Sequence, residues 1–149
     1  MKLSTKGRYG LKAMVDLAIH SQDKHIALRH IAERQDISEH YLEQLIAVLR
    51  KSGLVKSVRG AQGGYSLALA PDEITVGDIL RALEGSLAPV ACVDENVTEE
   101  CSEWDFCVTR VVWKEISDKV NEVVDSITLS DLLEEYNKKN SGKEYMYYI

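Results

Sequence analysis

Several features are missing from this 149-residue chain, and each absence excludes a class of protein. No run of about 18 apolar residues occurs, so the sequence predicts no membrane-spanning helix. The first residues, MKLSTKGRYG, lack the apolar centre of a secretory signal, which favours a cytoplasmic protein. Internal repeats and low-complexity tracts are also absent. The chain is nevertheless long enough to bury a core, and its composition is that of an ordinary globular protein.

Cysteine is scarce, and all three cysteines lie within residues 92–107, CVDENVTEECSEWDFC. Disulfides are uncommon in the cytoplasm, so an odd number of clustered thiols indicates a metal or redox role. Eight residues separate Cys92 from Cys101 and five separate Cys101 from Cys107, whereas zinc sites usually contain a closely spaced pair. The spacing therefore leaves an iron–sulfur cluster, zinc, redox thiols and no metal as open alternatives.

The net charge of −6 conceals two halves of opposite sign. Residues 1–70 contain 11 Lys and Arg against 6 Asp and Glu, and residues 71–149 contain 7 against 18. A basic half can approach phosphates even when the whole chain is acidic. The charge pattern therefore favours two separate tasks, one of which is nucleic-acid binding.

The basic half is typical of a helix-turn-helix unit. A first helix is predicted over about 4–21, followed by a short helix over 28–35 and a turn at Asp36. Ser38 is the predicted N-cap of a second helix. That helix has one apolar stripe, formed by Leu42, Leu45, Ile46 and Leu49. The alternative is a plain helical bundle with a solvated polar face.

A predicted β-hairpin after this helix favours a winged helix. Gly53 ends the helix, and strands are predicted over 54–58 and 65–69 with a glycine-rich loop between them. Arg59 lies at the base of this wing, where it can enter a minor groove. A phosphate-binding nucleotide loop is excluded, because no Lys-Ser/Thr pair follows the glycines and no helix starts there.

The second helix and the wing also supply the predicted DNA contacts. Gln44 and Glu43 can read base edges, since glutamine pairs with adenine and glutamate accepts from cytosine. Phosphate contacts are expected from Ser38, His40, Tyr41, Arg50, Lys51, Lys56 and Arg8. Each of these side chains, taken singly, could equally be an ordinary surface residue, and Tyr41 a packed one.

The acidic half predicts a dimerisation helix. A short helix completes a predicted DNA-binding domain over 1–84, and a cysteine loop over 85–107 follows it. A long helix then begins near Val108. Its apolar seam is formed by Trp113, Ile116, Val120, Val123 and Ile127. This spacing favours packing against a second copy, and packing within the same chain is the alternative. A short last helix completes the segment 108–137, and residues 138–149 are predicted as a flexible tail.

Several segments together resemble the iron–sulfur cluster regulators of the IscR type. They are KLSTKGRYG, ISEHYLEQL, GLVKSVRGAQGGY, VGDILRALEG and the cysteine segment that runs into VVWKEISDKV. The resemblance implies a mostly α-helical winged-helix protein with a small β-hairpin. It also implies a homodimeric bacterial transcription factor that binds duplex DNA and controls iron–sulfur assembly genes. Cys92, Cys101 and Cys107 would then be ligands of a [2Fe–2S] cluster.

One position departs from this resemblance. The related regulators have a histidine as fourth ligand three residues after the last cysteine, and here that residue is Arg110. All four histidines of the chain lie within its first 40 residues. A permanently protonated guanidinium is a poor ligand, so the fourth ligand is open and an oxygen donor from the acidic loop is the first candidate.

Two further hypotheses concern other partners and other chemistry. The chain is also similar to the cysteine metabolism repressors of the CymR type, which lack the cluster cysteines and act together with cysteine synthase. The C-terminal EYMYYI resembles theirs and suggests a docking segment, with a tail of no consequence as the alternative. An enzyme or electron carrier is the third hypothesis, but no nucleophile–base pair supports catalysis.

Overall fold

Six α-helices and one antiparallel β-hairpin make up the part of the chain that a computed structural model describes, residues 2–98 and 101–147, with side chains to residue 143. The helices are α1 (Thr5–His20), α2 (Leu28–Gln35), α3 (Glu39–Lys51), α4 (Val76–Glu84), α5 (Arg110–Ser126) and α6 (Leu129–Tyr147). The strands are β1 (Val55–Val58) and β2 (Gly64–Leu67). None of the described helices combines the length and apolar content that a membrane span needs.

The hydrophobic core lies between α1, α2, α3 and α4, and α6 closes one side of it. Met14, Leu17, Ile31 and Ile79 have no exposed surface, and Leu129 at the start of α6 is equally buried. The predicted stripe of α3 faces this core, since Leu42, Leu45, Ile46 and Leu49 are all buried. The predicted mostly helical winged-helix fold is therefore confirmed.

Local backbone rules fix the helix-turn-helix. Asp36 follows α2 with φ 51° and ψ 52°, the left-handed conformation that a short polar side chain tolerates. The Ser38 hydroxyl accepts a hydrogen bond from the backbone N–H of Tyr41 at 3.1 Å and so caps α3. Gly53, at φ 81°, ends α3 as predicted.

A buried ion pair fastens α2 to α1. Asp16 is 1% exposed at its side chain and accepts two hydrogen bonds from Arg34, Nε to Oδ2 at 2.9 Å and Nη2 to Oδ1 at 2.7 Å. The Gln35 side-chain amide donates a third, at 3.0 Å. The carboxylate therefore has strong donors on both oxygens, which a buried charge requires.

The wing is anchored to the segment that precedes α2. β1 and β2 pair from Val55 opposite Leu67 to Val58 opposite Gly64. Ile26 and Tyr65 exchange two backbone hydrogen bonds of 2.8 Å each. Gly64 has φ 140°, and a Cβ at this position would lie 2.5 Å from the Ile26 carbonyl oxygen. Only glycine fits this close approach.

The C-terminus of α4 is joined to the N-terminus of α1 through Glu84. Its Oε1 accepts hydrogen bonds from the Ser4 hydroxyl at 2.6 Å, the Ser4 N–H at 2.9 Å and the Gly7 N–H at 3.0 Å. These donors lower the pKa of Glu84, the Ser4 hydroxyl most strongly. A carboxylate is favoured here because the N–H groups of a helix N-terminus need an acceptor.

We expect Glu84→Gln to lower the free energy of unfolding at pH 7 by about 1 kcal/mol, because a neutral amide accepts these hydrogen bonds less strongly. The folded-state pKa of Glu84 lies below its unfolded value. Its contribution is therefore complete above the ordinary glutamate pKa of about 4.3 and disappears as the pH falls through the lower folded value. Urea unfolding from pH 7 to pH 3 measures this, with the exposed Glu122→Gln as control. Equal pH profiles for wild type and Glu84→Gln would contradict the assignment.

The C-terminal helices differ from the prediction in one respect. The long helix begins at Arg110, close to the predicted start. The last helix, expected to be short, instead continues to Tyr147 through most of the segment 138–149 predicted as a flexible tail. LSDLLEEYNKKNSGKEYMY is rich in good helix formers, and the helix continues through its single glycine, Gly142. Residues 148 and 149 lie outside the described part.

Candidate nucleic-acid interface and cysteine loop

The outer face of α3 presents the residues that were predicted to read bases. Glu43 and Gln44 are exposed, and His40 lies one turn before Gln44, with its Nε2 3.3 Å from the Gln44 amide nitrogen. Glu43 forms no ion pair among the described residues. Since both residues are exposed, they are accessible to a base edge, as base readout requires.

Two of the predicted phosphate contacts are already engaged within the protein. The Ser38 hydroxyl caps α3, although the residue remains exposed. Tyr41 is half-buried, and its ring packs edge-on against Tyr9 with centroids 6.2 Å apart. Its hydroxyl lies 3.3 Å from Thr5 Oγ1. Tyr41 thus positions α3 against α1 and leaves only its polar edge for a phosphate.

The wing lies beside the C-terminal half of α3. Arg50 of α3 donates a hydrogen bond from Nη1 to the Ser57 hydroxyl of β1 at 3.1 Å. Lys51, Lys56 and Arg59 are exposed. These four predicted DNA contacts thus lie on the C-terminal half of α3 and on the adjoining wing, and their contact with DNA stays a prediction.

Arg8 of α1 is exposed and lines a groove with Leu80 and Glu84 of α4 and with Val120 and Val123 of α5. It follows Thr5 by three residues, so the two side chains share one side of α1. The expectation that Arg8 contacts a DNA phosphate stays a prediction.

Sequence reasoning missed the face of α1 that lies beside α3. Thr5, Tyr9 and Lys12 share this face, and Lys12 Nζ lies 5.5 Å from the centre of the Tyr9 ring. Their i, i+4, i+7 spacing is visible in the sequence. Their proximity to Tyr41 is not, because it depends on how α1 crosses α3.

The three cysteines do not converge in the described residues. Cys92 lies half-buried in a short 3₁₀ turn over Ala91–Val93, Cys101 is exposed, and Cys107 is half-buried three residues before α5. All three thiols are free of disulfides. Within residues 2–98 and 101–147, no three His, Cys, Asp or Glu side chains form a group that could hold a metal ion.

The N-terminus of α5 favours the thiolate form of Cys107. The Thr109 hydroxyl lies 3.2 Å from the sulfur, and it lowers the pKa of the Cys107 thiol together with the backbone N–H groups of Arg110 and Thr109. Thiolate is the form that binds a metal and acts as a nucleophile. This local geometry was not predicted from the sequence, although Cys-x-Thr before a helix is a signal for it.

Arg110, at the first position of α5, stacks on Trp104. Its guanidinium carbon lies 3.6 Å from the centre of the indole ring. Its Nε is buried and has no hydrogen-bond partner among the described residues. This side chain is held by a cation–π contact and offers no lone pair to a metal.

Helix α5 is fixed to the DNA-binding half near its C-terminal end. Arg81 of α4 donates to both carboxylate oxygens of Asp125, at 2.7 and 2.9 Å, and to the Asn121 side-chain oxygen at 2.7 Å. The Val76 N–H donates to the Ile127 carbonyl at 2.8 Å. The C-terminal end of α5 is therefore joined to α4 by both side-chain and backbone hydrogen bonds.

Comparisons with known proteins agree with this architecture. Residues 3–135 match the model of the Rrf2 family, described as an iron-dependent transcriptional regulator. The chain is 47% identical over 149 residues to the HTH-type transcriptional regulator CymR of Bacillus subtilis, covering 100% of both chains. It is 44% identical over 133 residues to IscR of Aliivibrio salmonicida, covering 89% of this chain and 77% of that one.

Two solved structures are also similar. IscR of T. potens superposes with a TM-score of 0.79 at 52% identity, covering 99% of this chain and 96% of that one. The global cysteine regulator CymR of B. subtilis gives 0.74 at 49% identity, covering 89% and 95%. These relatives are named as transcriptional regulators, which confirms the prediction of a regulator over an enzyme. The chain belongs to the Rrf2 family of winged-helix transcriptional regulators.

Proposed function

We propose that the protein is a cytoplasmic, homodimeric transcriptional repressor that reads duplex DNA and senses iron–sulfur status through a [2Fe–2S] cluster. It would control iron–sulfur cluster biogenesis genes. The observation that supports this proposal most is the position of Cys107. A thiol with a lowered pKa lies directly before α5, and α5 is joined to the DNA-binding half through Arg81.

The exposed face of α3 and the wing supports a two-part DNA contact. Gln44 and Glu43 can enter a major groove, while Arg59 reaches a minor groove beside it. The surrounding cations neutralise phosphates and fix the register without reading sequence. They are Arg50, Lys51 and Lys56, with polar contacts from Ser38, His40 and Tyr41.

We expect Gln44→Ala and Lys56→Ala to weaken DNA binding in different ways. Loss of Gln44 should lower affinity for the selected operator by about tenfold or more and relax the preference at one base pair. Loss of Lys56 should weaken binding to all sequences alike and lower the salt-dependence slope by about one. Fluorescence anisotropy measures both, on an operator selected from random duplexes. An unchanged base preference in Gln44→Ala would contradict the base-reading role.

A dimer is supported by the apolar surface of α5. Val111 is 71% exposed, Val112 51% and Val123 55%, and Ser117 is the one buried residue of this helix. Val112 and Val123 lie on one side of α5, three turns apart, and exposed apolar side chains on one side of a helix are typical of an interface. Sedimentation equilibrium checks this, and a protein that stays monomeric at micromolar concentration would contradict the dimer.

The residues present fit a cluster by donor chemistry. Cys92, Cys101 and Cys107 are free thiols outside the core, and soft thiolates are the ligands that iron–sulfur clusters prefer. The fourth ligand is open, since Arg110 offers no donor atom. When bound, such a cluster would supply a redox- and iron-sensitive group in the cysteine loop.

The chain's own residues connect the loop to the reading surface. Thr109 and Arg110 hold the Cys107 sulfur at the first turn of α5. A change in the bonding of that sulfur acts directly on the end of α5. Arg81 then links the other end of α5 to α4, which packs against α1 and α3. The loop and the recognition helix are thus connected through α5 and α4.

We expect anaerobically purified protein to be brown and to contain about two iron and two sulfide ions per chain. Cys92→Ala should lose most of this absorption, because two thiolates hold the cluster poorly, whereas Ser102→Ala in the same loop should retain it. Visible absorption together with iron and sulfide analysis provides the measurement. Reconstituted wild-type protein that contains zinc or no metal would exclude the cluster.

A second candidate is a regulator of cysteine or sulfur metabolism that acts without a cluster. The specific support is the identity of 47% to CymR over the entire chain, including the C-terminal residues. In this case the thiols would act by redox change, or the C-terminal segment would dock onto cysteine synthase. Surface plasmon resonance with cysteine synthase, for the full chain and for a chain ending at residue 143, distinguishes the two candidates. Docking that needs the last six residues, in a protein without iron, would favour the second.

A further inference from the structure

A cavity of about 520 Å³ lies where α4, the cysteine loop and α5 meet. Arg81 lines it from α4, Asp94 and Glu95 from the loop, and Arg110 from α5. The buried Ser117 of α5 also lines this cavity. This volume falls within the range of about 300–1,000 Å³ that small-molecule sites occupy.

Two of the basic residues that line the cavity form ion pairs, Arg81 with Asp125 and Lys114 with Asp118. In the described part of the chain, Arg110 forms no ion pair, and neither Asp94 nor Glu95 forms one. Asp94 Oδ1 accepts a hydrogen bond from the Asn96 N–H at 2.9 Å, and the pKa of Arg81 is raised mainly by its hydrogen bond to Asp125 and in part by the charge of Glu95. One cavity thus contains a guanidinium and two carboxylates that form no ion pair with each other.

The guanidinium of Arg110 is oriented before any ligand arrives. Its stacking on Trp104 at 3.6 Å fixes its plane, and its Nε is buried without a partner. A guanidinium held in one plane loses little conformational entropy when it binds a carboxylate through its parallel N–H groups. The same stacking covers a face of Trp104, so that face is closed to an aromatic ligand.

We infer that this cavity binds a free α-amino acid, with its carboxylate on Arg110 and its ammonium group on Asp94 and Glu95. A simple anion such as phosphate would be repelled by the two loop carboxylates, and a simple amine by Arg110. A zwitterion satisfies both ends, because its opposite charges lie within a few ångströms of each other. The inference needs neither Cys101 nor Cys107, but Cys92 also lines the cavity, so an amino acid and a cluster held by Cys92 would compete for this space.

The position of this site gives it a regulatory consequence. The loop residues Asp94 and Glu95 and the helix residue Arg110 belong to segments with no ion pair between them in the described structure. A bound zwitterion bridges these segments and ties the loop to the first turn of α5. Because α5 is joined to α4, amino-acid binding would change the DNA affinity of the dimer.

The test is isothermal titration calorimetry of the full-length protein with each standard L-amino acid singly, followed by the deamino and decarboxylated analogues of the tightest binder. We expect each analogue to bind at least about tenfold more weakly than the parent, because each leaves a charge of the cavity unpaired. Arg110→Gln should weaken the parent by a similar factor, while Lys119→Gln, which lies on α5 outside the cavity, should not.

The Cys101→Ser/Cys107→Ser double variant separates this inference from the proposed cluster. We expect it to bind the amino acid like the wild type even though it cannot hold a cluster. Three outcomes would overturn the inference: no heat from any amino acid at millimolar concentration, equal binding of the deamino analogue, or unchanged binding by Arg110→Gln.

Discussion

Replacing Arg34 by methionine is expected to lower the free energy of unfolding by about 3–5 kcal/mol. The substitution keeps most of the apolar stem but removes both hydrogen bonds to Asp16. The Asp16 carboxylate, 1% exposed, then has only the Gln35 amide as a donor. A buried charge without a counter-charge is among the most destabilising changes a core can undergo.

Urea unfolding at pH 7 measures this loss, with the free energies of unfolding of the wild type and of Arg34→Met compared directly.

Two further variants complete that experiment. Asp16→Asn combined with Arg34→Met should recover part of the stability, because no buried charge remains. The exposed ion pair Lys114–Asp118 provides the matched control. Lys114→Met removes one partner of that pair at the surface and should lower the free energy of unfolding by less than about 1 kcal/mol. An Arg34→Met protein as stable as Lys114→Met would contradict the role of the buried pair.

Gly64→Ala is expected to destabilise the protein by about 3 kcal/mol and to displace the wing, through backbone strain and overpacking together. The new Cβ would lie 2.5 Å from the Ile26 carbonyl oxygen, 2.6 Å from the Ile26 carbonyl carbon and 3.0 Å from the Ala27 nitrogen, and these three backbone atoms cannot rotate away. The Ile26–Tyr65 hydrogen bonds must then lengthen, and the hairpin that carries Arg59 moves with them.

Gly60→Ala separates strain from steric clash. Gly60 also has positive φ, 114°, but a Cβ there meets nothing within 4 Å. It should therefore cost only the backbone strain, about 1 kcal/mol. Thermal unfolding and DNA binding by anisotropy compare the two variants, and equal losses for both would show that the contact with Ile26 is unimportant.

The sequence was sufficient where short-range rules decide the structure. Asp36 in the turn, Ser38 as cap and Gly53 after α3 each depend only on neighbours within four residues. The apolar stripe of α3 follows from the period of the helix in the same way. These local features were enough to predict the winged helix-turn-helix and the outward direction of Gln44.

Contacts between distant residues were beyond sequence reasoning. The partners Asp16 and Arg34 are 18 positions apart, and Glu84 is 80 positions from Ser4. Their pairing depends on how the helices cross, which no local pattern contains. The cavity beside Arg110 has the same origin, because three separate segments form it.

The geometry of the cysteine loop could not be predicted from the sequence, although its residue types could be interpreted. Its thiols were recognised from residue type alone, and the resemblance implied their role. Few apolar side chains lie in residues 85–107, so the sequence offers little burial from which a geometry could be predicted. The length of α6 was missed because a polar segment of good helix formers resembles a solvated tail.

The attachment of α5 at one end has a mechanical consequence. Arg81 and Val76 of α4 donate hydrogen bonds to Asn121, Asp125 and Ile127 near the C-terminal end of α5. Val111, in the first turn of α5, is 71% exposed. Helix α5 is therefore attached to the DNA-binding half at its last turns and to the cysteine loop at its first turn, where Arg110 stacks on Trp104. In the proposed dimer, a displacement of the first turn would pivot about the attachment to α4 and change the separation of the two recognition helices.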